Sequence, residues 1–461
     1  MIMSKPSPLP QKFLALAAAG FVALMPAASA STATINDTAR VLAGLPPSQG
    51  SPLQAVASGE SWSNHAGKFS GVWNRFEGRQ LSQARKWANR ELGEAWKNAP
   101  VLYYAFSGPD IVYANTFFPD CKTYVLCGLE PAGQVPDLLA IAPGKVGDAL
   151  HHLLSSMRNV LSLGFFITKD MGSDLRNASI PGTTPVLLSL LARMGKTVRD
   201  ATQVSLDHAG NEVPRSAANA AAIPGIKIVF DSGPNTPAQT LYYFCADISN
   251  GGLAKNQGFA GFCKKLPAGA GLVKAASYLM HGGEFSGIRN LLLDRCKFIL
   301  QDDTGIPASV LSELNWHISP YGIYKGPIGM FRGFYQKKLE QIFSSGRQAP
   351  LTFGVGYYYR TSECNMILAS REGGAPKAEV ADRPQSAPAQ EKSPARVSQA
   401  PAAPATTIAA GDLPPKKTLA ALEDEELRIR ADSSLSREER NKKLHDVWNR
   451  QLVAMGKTPK K

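Results

Sequence analysis

The sequence predicts an α/β domain in three layers, with helices on both faces of a mixed β-sheet. Three observations predict it. Residues 100–133 read as strand, glycine turn, helix and second strand, a βαβ unit that implies a parallel pair and a right-handed crossover. From there to about Ser370, strand-like and helix-like segments alternate. Two apolar runs, Lys227 to Asp231 and Thr240 to Cys245, flank Gly233-Pro234-Asn235, a hairpin signature, so part of the sheet is antiparallel.

The elements follow from local pattern. Leu81, Ala84, Trp87, Leu92 and Trp96 recur at three- and four-residue steps and predict a helix over Phe76 to Trp96. Val101 to Phe106 is a buried-strand pattern ended by Ser107-Gly108-Pro109-Asp110. Ile111 to Phe118 is a helix stopped by Pro119, and Thr123 to Leu129 is a second strand ended by Glu130-Pro131. Leu153 to Leu161 and Thr184 to Met194 read as helices, with a strand over Gly164 to Thr168 between them. Leu272 to Met280 and Phe285 to Leu293 read as helices, Lys297 to Leu300 as a strand, and Phe353 to Tyr359 as the closing strand.

The flanks differ from this body. Lys5 and Lys12 precede an apolar run from Phe13 to Met25, and Ala28-Ser29-Ala30 follows, the layout of a cleavable signal peptide over residues 1–30. The run is too short to span roughly 30 Å of hydrocarbon comfortably, and no later stretch reaches ~18 apolar residues. The expectation is an exported protein, periplasmic or secreted, with no transmembrane segment after cleavage near Ala30. Residues 31–75, rich in Ser, Ala, Gly and Pro, read as a loosely ordered lead, and the α/β domain as residues 76–371. Residues 372–417 are dominated by Ala, Pro, Ser and Gln and lack the apolar surface to offset chain entropy, so a disordered linker is expected. Residues 418–461 regain helical spacing and read as a basic tail of two short helices.

Composition narrows the function classes. The 461 residues are 44% hydrophobic and 19% charged, an ordinary globular balance, with net charge +13. That charge favours an anionic envelope component or an acidic glycan as partner. Nucleic acid is not expected, since no helix-turn-helix, zinc finger or RNP-type aromatic motif is present. Six cysteines in an exported chain permit disulfides, with Cys245–Cys263 the nearest pairing to expect. None has metal-ligand spacing, and neither a metal nor a cofactor is expected. No feature points to an oligomeric state. The GxSxG, HExxH and Walker patterns of common hydrolases and NTPases are absent.

The βαβ segment resembles the opening of Rossmann-like folds, and most of all that of S-adenosylmethionine-dependent methyltransferases. In that resemblance the Gly108 turn approaches a cofactor and Glu130 holds ribose hydroxyls, with Asp110 of the same turn a further ligand-binding candidate. Glu130 lies 22 residues after Gly108, near the expected spacing. One glycine stands where two or three are usual, and Pro109 removes a backbone donor. The phrases SGPDIVYANTFFPDCKTYVLCGLEPAG and CKFILQDDTGIP also resemble a group of exported bacterial proteins to which no activity is assigned.

Other candidate residues lie further on. Asp302 and Asp303 directly follow a strand, where ligands of open α/β sheets bind; one could act as a base while the other caps the next helix. His281, beside Gly282-Gly283, is a candidate acid or base or a turn residue. Trp316 and Tyr321 lie in an aromatic, glycine-studded stretch that fits either sugar stacking or a lid over the core. These features give two main readings, beside a third in which the tail, Lys442 to Lys461, docks on membrane or another protein while the body is inert. One is an exported binding or scaffold protein on a Rossmann-like body. The other is an enzyme, either a hydrolase of envelope material or a divergent transferase at the crevice beyond the strand ends.

Overall fold

The computed structural model of the chain describes residues 33–92, 99–166, 179–216, 222–233, 235–345, 349–358 and 361–371. It also describes Met171, Leu175, Glu425, Glu439, Lys443, Asp446, Val447 and Arg450. The expected signal peptide, the linker and most of the tail lie outside these residues. The chain divides into two units, Met1–Glu379 and Val380–Lys461. In the second, Arg450 pairs with Glu425 at 2.6 Å and Asp446 at 3.0 Å, and all six described residues are helical.

Ten strands form one mixed sheet: β1 (Val101–Tyr104), β2 (Thr123–Gly128), β3 (Thr197–Leu206), β4 (Glu212–Pro214), β5 (Ile223–Asp231), β6 (Gln239–Cys245), β7 (Gly269–Val273), β8 (Cys296–Gln301), β9 (His317–Gly322) and β10 (Asn365–Ser370). Their order is β4-β3-β5-β6-β2-β1-β7-β8-β10-β9. The five central strands, β6-β2-β1-β7-β8, are parallel. Antiparallel strands extend the sheet at both edges. The α/β class with a mixed sheet is therefore the observed one, as are the β1–β2 parallel pair and the β5–β6 hairpin.

Alternation along the strands builds two cores. Leu102, Tyr104, Tyr124 and Leu126 face one way, and Val101, Tyr103, Val125 and Cys127 the other. The first face is covered by α1 (Ile35–Leu42), α3 (Glu60–Phe76), α4 (Ser82–Glu91), α5 (Ile111–Phe117), α6 (Pro143–Ser156), α7 (Arg158–Leu163) and α8 (Thr184–Arg193), with the single turn α2 (Gln54–Ala57) at its rim. The second is covered by α9 (Asn250–Lys255), α10 (Gly258–Lys265), α11 (Ser286–Arg295), α12 (Ala308–Glu313) and α13 (Lys337–Ser344). Helices from the two halves of the body thus take opposite faces.

Several local expectations are corrected. The segment expected to be a loose lead contains α1 and α3, whose His65, Phe69, Trp73 and Phe76 are buried. These few large residues recur at helical spacing, and the Ser and Gly between them line the outer face. Leu272 to Met280 is not a helix: β7 ends at Val273, and a 3₁₀ turn covers Leu279–His281. Small residues place that strand centrally, because a Cβ on Gly269 would lie 2.0 Å from the Val101 carbonyl oxygen. Phe165 and Phe166 are not in a strand, since Gly164 ends α7 in a left-handed conformation; Ile167 and Thr168 lie outside the described residues. Phe353 to Tyr358 crosses the first core as a buried irregular segment, and β10 closes the sheet instead; Tyr359 is not described. The expected Cys245–Cys263 bridge is absent, and none of the six cysteines forms a disulfide.

Candidate functional site

A crevice of about 240 Å³ opens beyond the carboxyl ends of β1, β2, β6 and β7. The topology explains its position. The chain leaves β1 toward β2 on one side, while β7 lies on the other, so the loops after β1 and β7 diverge and leave a gap. Gly108 and Gly128 are at its base, Glu130 and Asp247 on one side, and Lys274 and Ser277 on the other. Phe106, Phe165, Phe166, Leu279 and Phe285 supply apolar walls.

Gly108 adopts φ +51°, the left-handed conformation that glycine takes at little cost. Its N–H donates to the Cys127 carbonyl at 3.1 Å, tying the β1 loop to β2. At Gly128, a Cβ would stand 2.9 Å from Glu130 Oε2, 2.7 Å from the Tyr243 hydroxyl and 3.1 Å from the Gly108 Cα. Only a bare backbone lets that carboxylate fold in so closely. The Tyr243 hydroxyl donates to the Glu130 main-chain carbonyl at 2.8 Å. Glu130 Oε2 is itself buried and accepts no hydrogen bond among the described residues.

Across the crevice, Lys274 is a buried cation inside the apolar run that ends β7. Its Nζ sits 2.9 Å from Asp110 Oδ2 and 4.3 Å from the centre of the Tyr113 ring, and donates to the Gly164 carbonyl. Asp110 also accepts the Tyr104 hydroxyl at 3.0 Å and the Tyr113 N–H at 3.1 Å, the latter capping α5. The Lys274 charge is thus already matched, which leaves Glu130 and Asp247 as the charged groups facing a ligand. Asp247 accepts the Ser249 N–H at 2.9 Å, and the nearby Ser249 hydroxyl and that N–H hold its carboxyl below the usual range.

The loop after β7 is strained. Ala275, Ser277 and Tyr278 have φ of +52°, +52° and +56°, each costing of order 1–3 kcal/mol in a residue with a side chain. Asp302, Asp303 and Thr304, after β8, hold it there. Asp302 accepts the Ala275 N–H at 2.9 Å, Thr304 Oγ1 accepts the Ala276 N–H at 2.7 Å, and the Tyr278 hydroxyl donates to Asp303 at 2.6 Å. The Tyr357 hydroxyl completes the clamp, donating to the Ala275 carbonyl at 2.7 Å and lying 2.7 Å from Ser277 Oγ.

The structure therefore brings Gly108, Asp110 and Glu130 together at one crevice and leaves five other candidates away from its lining. Asp302 and Asp303 are wholly buried beside the clamp. Burial raises both carboxyls, Asp303 to about 7 with the Asp302 charge adding to the effect. His281 packs edge-on to Tyr278 at 5.1 Å, and burial lowers it to about 4. Trp316 is 4% exposed in the second core, with the Arg371 guanidinium 4.7 Å from its ring centre. Tyr321, on β9, stands edge-on to Trp87 at 5.1 Å. Neither ring presents a face for a sugar in the crevice.

Sequence reasoning missed Asp247 and Lys274. Both had a signal: Asp247 follows a predicted strand as Glu130 does, and Lys274 interrupts an apolar run. Among the described residues, no three His, Cys, Asp or Glu side chains converge as a metal would need. No family model, curated protein or solved structure matches this chain.

Proposed function

We propose that the body is an exported ligand-binding protein whose crevice takes a nucleoside-type small molecule, with Glu130 accepting a pair of ligand hydroxyls. The observation that carries this reading is the Glu130 carboxylate, folded against Gly128 with Oε2 buried and unshared among the described residues. Two further facts support it. In chain order the five parallel strands run third, second, first, fourth, fifth, an order that supports a Rossmann-like reading, in which ligands bind where the strand order reverses. Asp247 and Ile248 follow the third strand and line the same crevice as Glu130, an acceptor and an apolar side chain that suit a heterocycle. Export rests on the Lys5 to Ala30 pattern, and its check is the N-terminus of the mature protein.

Thermal and chemical stability with adenosine, against 2′,3′-dideoxyadenosine, tests the reading. Adenosine at 100 times its Kd is expected to add about 2.7 kcal/mol. The dideoxy compound, and the Glu130→Ala protein with adenosine, are expected to add far less. Equal stabilisation in all three cases would overturn the role of Glu130.

A second reading, a divergent transferase, is favoured by the strained Ala275–Tyr278 loop, because such strain concentrates at reacting centres. It expects S-adenosylmethionine to stabilise the protein and a methyl acceptor to release S-adenosylhomocysteine. Binding without release leaves the first reading standing.

A further inference from the structure

The large apolar side chains left exposed are few, and three of them stand together. Met330 is 82% exposed, Tyr335 50% and Phe334 39%, all on the segment Gly329 to Tyr335. The first six residues of this segment form a 3₁₀ turn. Exposed basic residues ring it: Lys325 before the turn, Arg332 within it, and Lys337 and Lys338 on the first turn of α13. None of the four forms an ion pair with another described residue. The opposite side of α13, Leu339 and Phe343, is buried, which fixes the lysines outward. Glu340 is the acidic residue of this stretch, and its nearness raises the Tyr335 hydroxyl above its ordinary pKa.

A soluble surface has reason to be basic or to scatter single apolar residues, but not to place the two together at a cost in hydration. Apolar tips ringed by unpaired cations match an interface whose outer layer is anionic and whose next layer is hydrocarbon. We propose that this face docks on an anionic phospholipid bilayer. Met330, Phe334 and Tyr335 enter the headgroup region while Lys325, Arg332, Lys337 and Lys338 meet lipid phosphates. No helix among the described residues is long and apolar enough to cross a membrane.

The docked face is continuous with the crevice. Phe334 stacks on Tyr278 at 5.0 Å, and Phe331 packs on Tyr357 at 5.3 Å. Tyr357 and Leu279 line the crevice itself. Bilayer contact therefore bears on the side chains that clamp the strained loop. The surface does not depend on what the crevice binds, so the two readings stand or fall separately.

Co-sedimentation of the full chain with phosphatidylglycerol-rich vesicles, against vesicles of phosphatidylcholine alone, tests the proposal. Binding is expected to the anionic vesicles only, and to be lost near 1 M salt, where the screening length falls to ~3 Å. At about a tenfold affinity per 1.4 kcal/mol and near 1 kcal/mol per basic residue, Lys337→Gln with Lys338→Gln is expected to weaken binding about thirtyfold. Met330→Ser is expected to weaken it further at unchanged salt dependence. All three substitutions replace exposed side chains, and an unchanged melting temperature checks that the fold is intact. Three outcomes would overturn the proposal: anionic vesicles bound equally by the variants, which would place binding in the basic tail; equal binding to both vesicle types; or binding to neither, as expected were the patch to meet an acidic protein.

Discussion

Four buried or half-buried side chains set opposing pH dependences in this protein. Burial lowers His65 and His281 to about 4 from the usual 6.5, while Asp303 rises to about 7 from 3.8. Asp302 shifts in the same direction as Asp303. As pH falls from 6.5 to about 4, the unfolded chain binds protons at the two histidines before the folded protein does. Their contribution to stability is therefore lost across that window. As pH rises from 3.8 to about 7, the unfolded Asp303 ionises while the folded one keeps its proton, and stability falls in the other direction. Replacing Asp303 with Asn removes the opposing term. Between pH 4 and 6.5 the stability of that variant, measured by urea titration, should climb with pH more steeply than that of the natural protein. The change in slope should be at most about 1.4 kcal/mol per pH unit. An unchanged slope would mean that Asp303 is ionised in the fold. At this scale the sequence was a partial guide. Gly108, Asp110 and Glu130 were legible because position after a strand is a local property. Asp302 and Asp303 follow a strand too and His281 drew attention for its chemistry, yet neither signal records burial, and burial made the two aspartates parts of a clamp.

At the scale of elements, the loop between β7 and α11 shows a local cost met by a distant partner. Left-handed Ala275 costs about 1–2 kcal/mol relative to an ordinary conformation, whereas glycine there would lose only its extra chain freedom, about 0.5–1 kcal/mol. Ala275→Gly should therefore be neutral or stabilising by up to about 1.5 kcal/mol in chemical denaturation. A loss of about 1 kcal/mol, as for the same change inside a helix, would show that the loop is not strained. Its apolar residues, Leu272, Ala275, Ala276 and Leu279, have helical spacing, and that pattern suited a helix as well as it suits the observed strand and loop. The choice was made by Gly269, which lets β7 lie against the Val101 carbonyl, and by Asp302, which accepts the Ala275 N–H. The aromatic spacing of α3 was visible too, but a segment rich in Ser and Gly reads as loose until a sheet face is there to cover.

For the whole molecule, the absence of cross-links is a testable property. None of the six cysteines forms a disulfide; Cys245 is partly exposed and the other five are buried. Burial pushes the Cys121 and Cys263 thiols up to about 12, which makes them poor nucleophiles. A thiol reagent should modify Cys245 first in the folded protein and all six cysteines in denaturant, and a reductant should leave the melting temperature unchanged. Two oxidised cysteines in denaturant would contradict the fold described here. By itself, the sequence determined the α/β class, the βαβ opening, the β5–β6 hairpin and three residues of the crevice, because each depends on periodicity and turn chemistry within a few tens of residues. Only the tertiary structure decided the order of the ten strands, the split of helices between two faces, the pairing of Lys274 with Asp110 and the exposure of the Met330–Tyr335 face. Those depend on which distant segments exclude water from one another, and no local pattern records that.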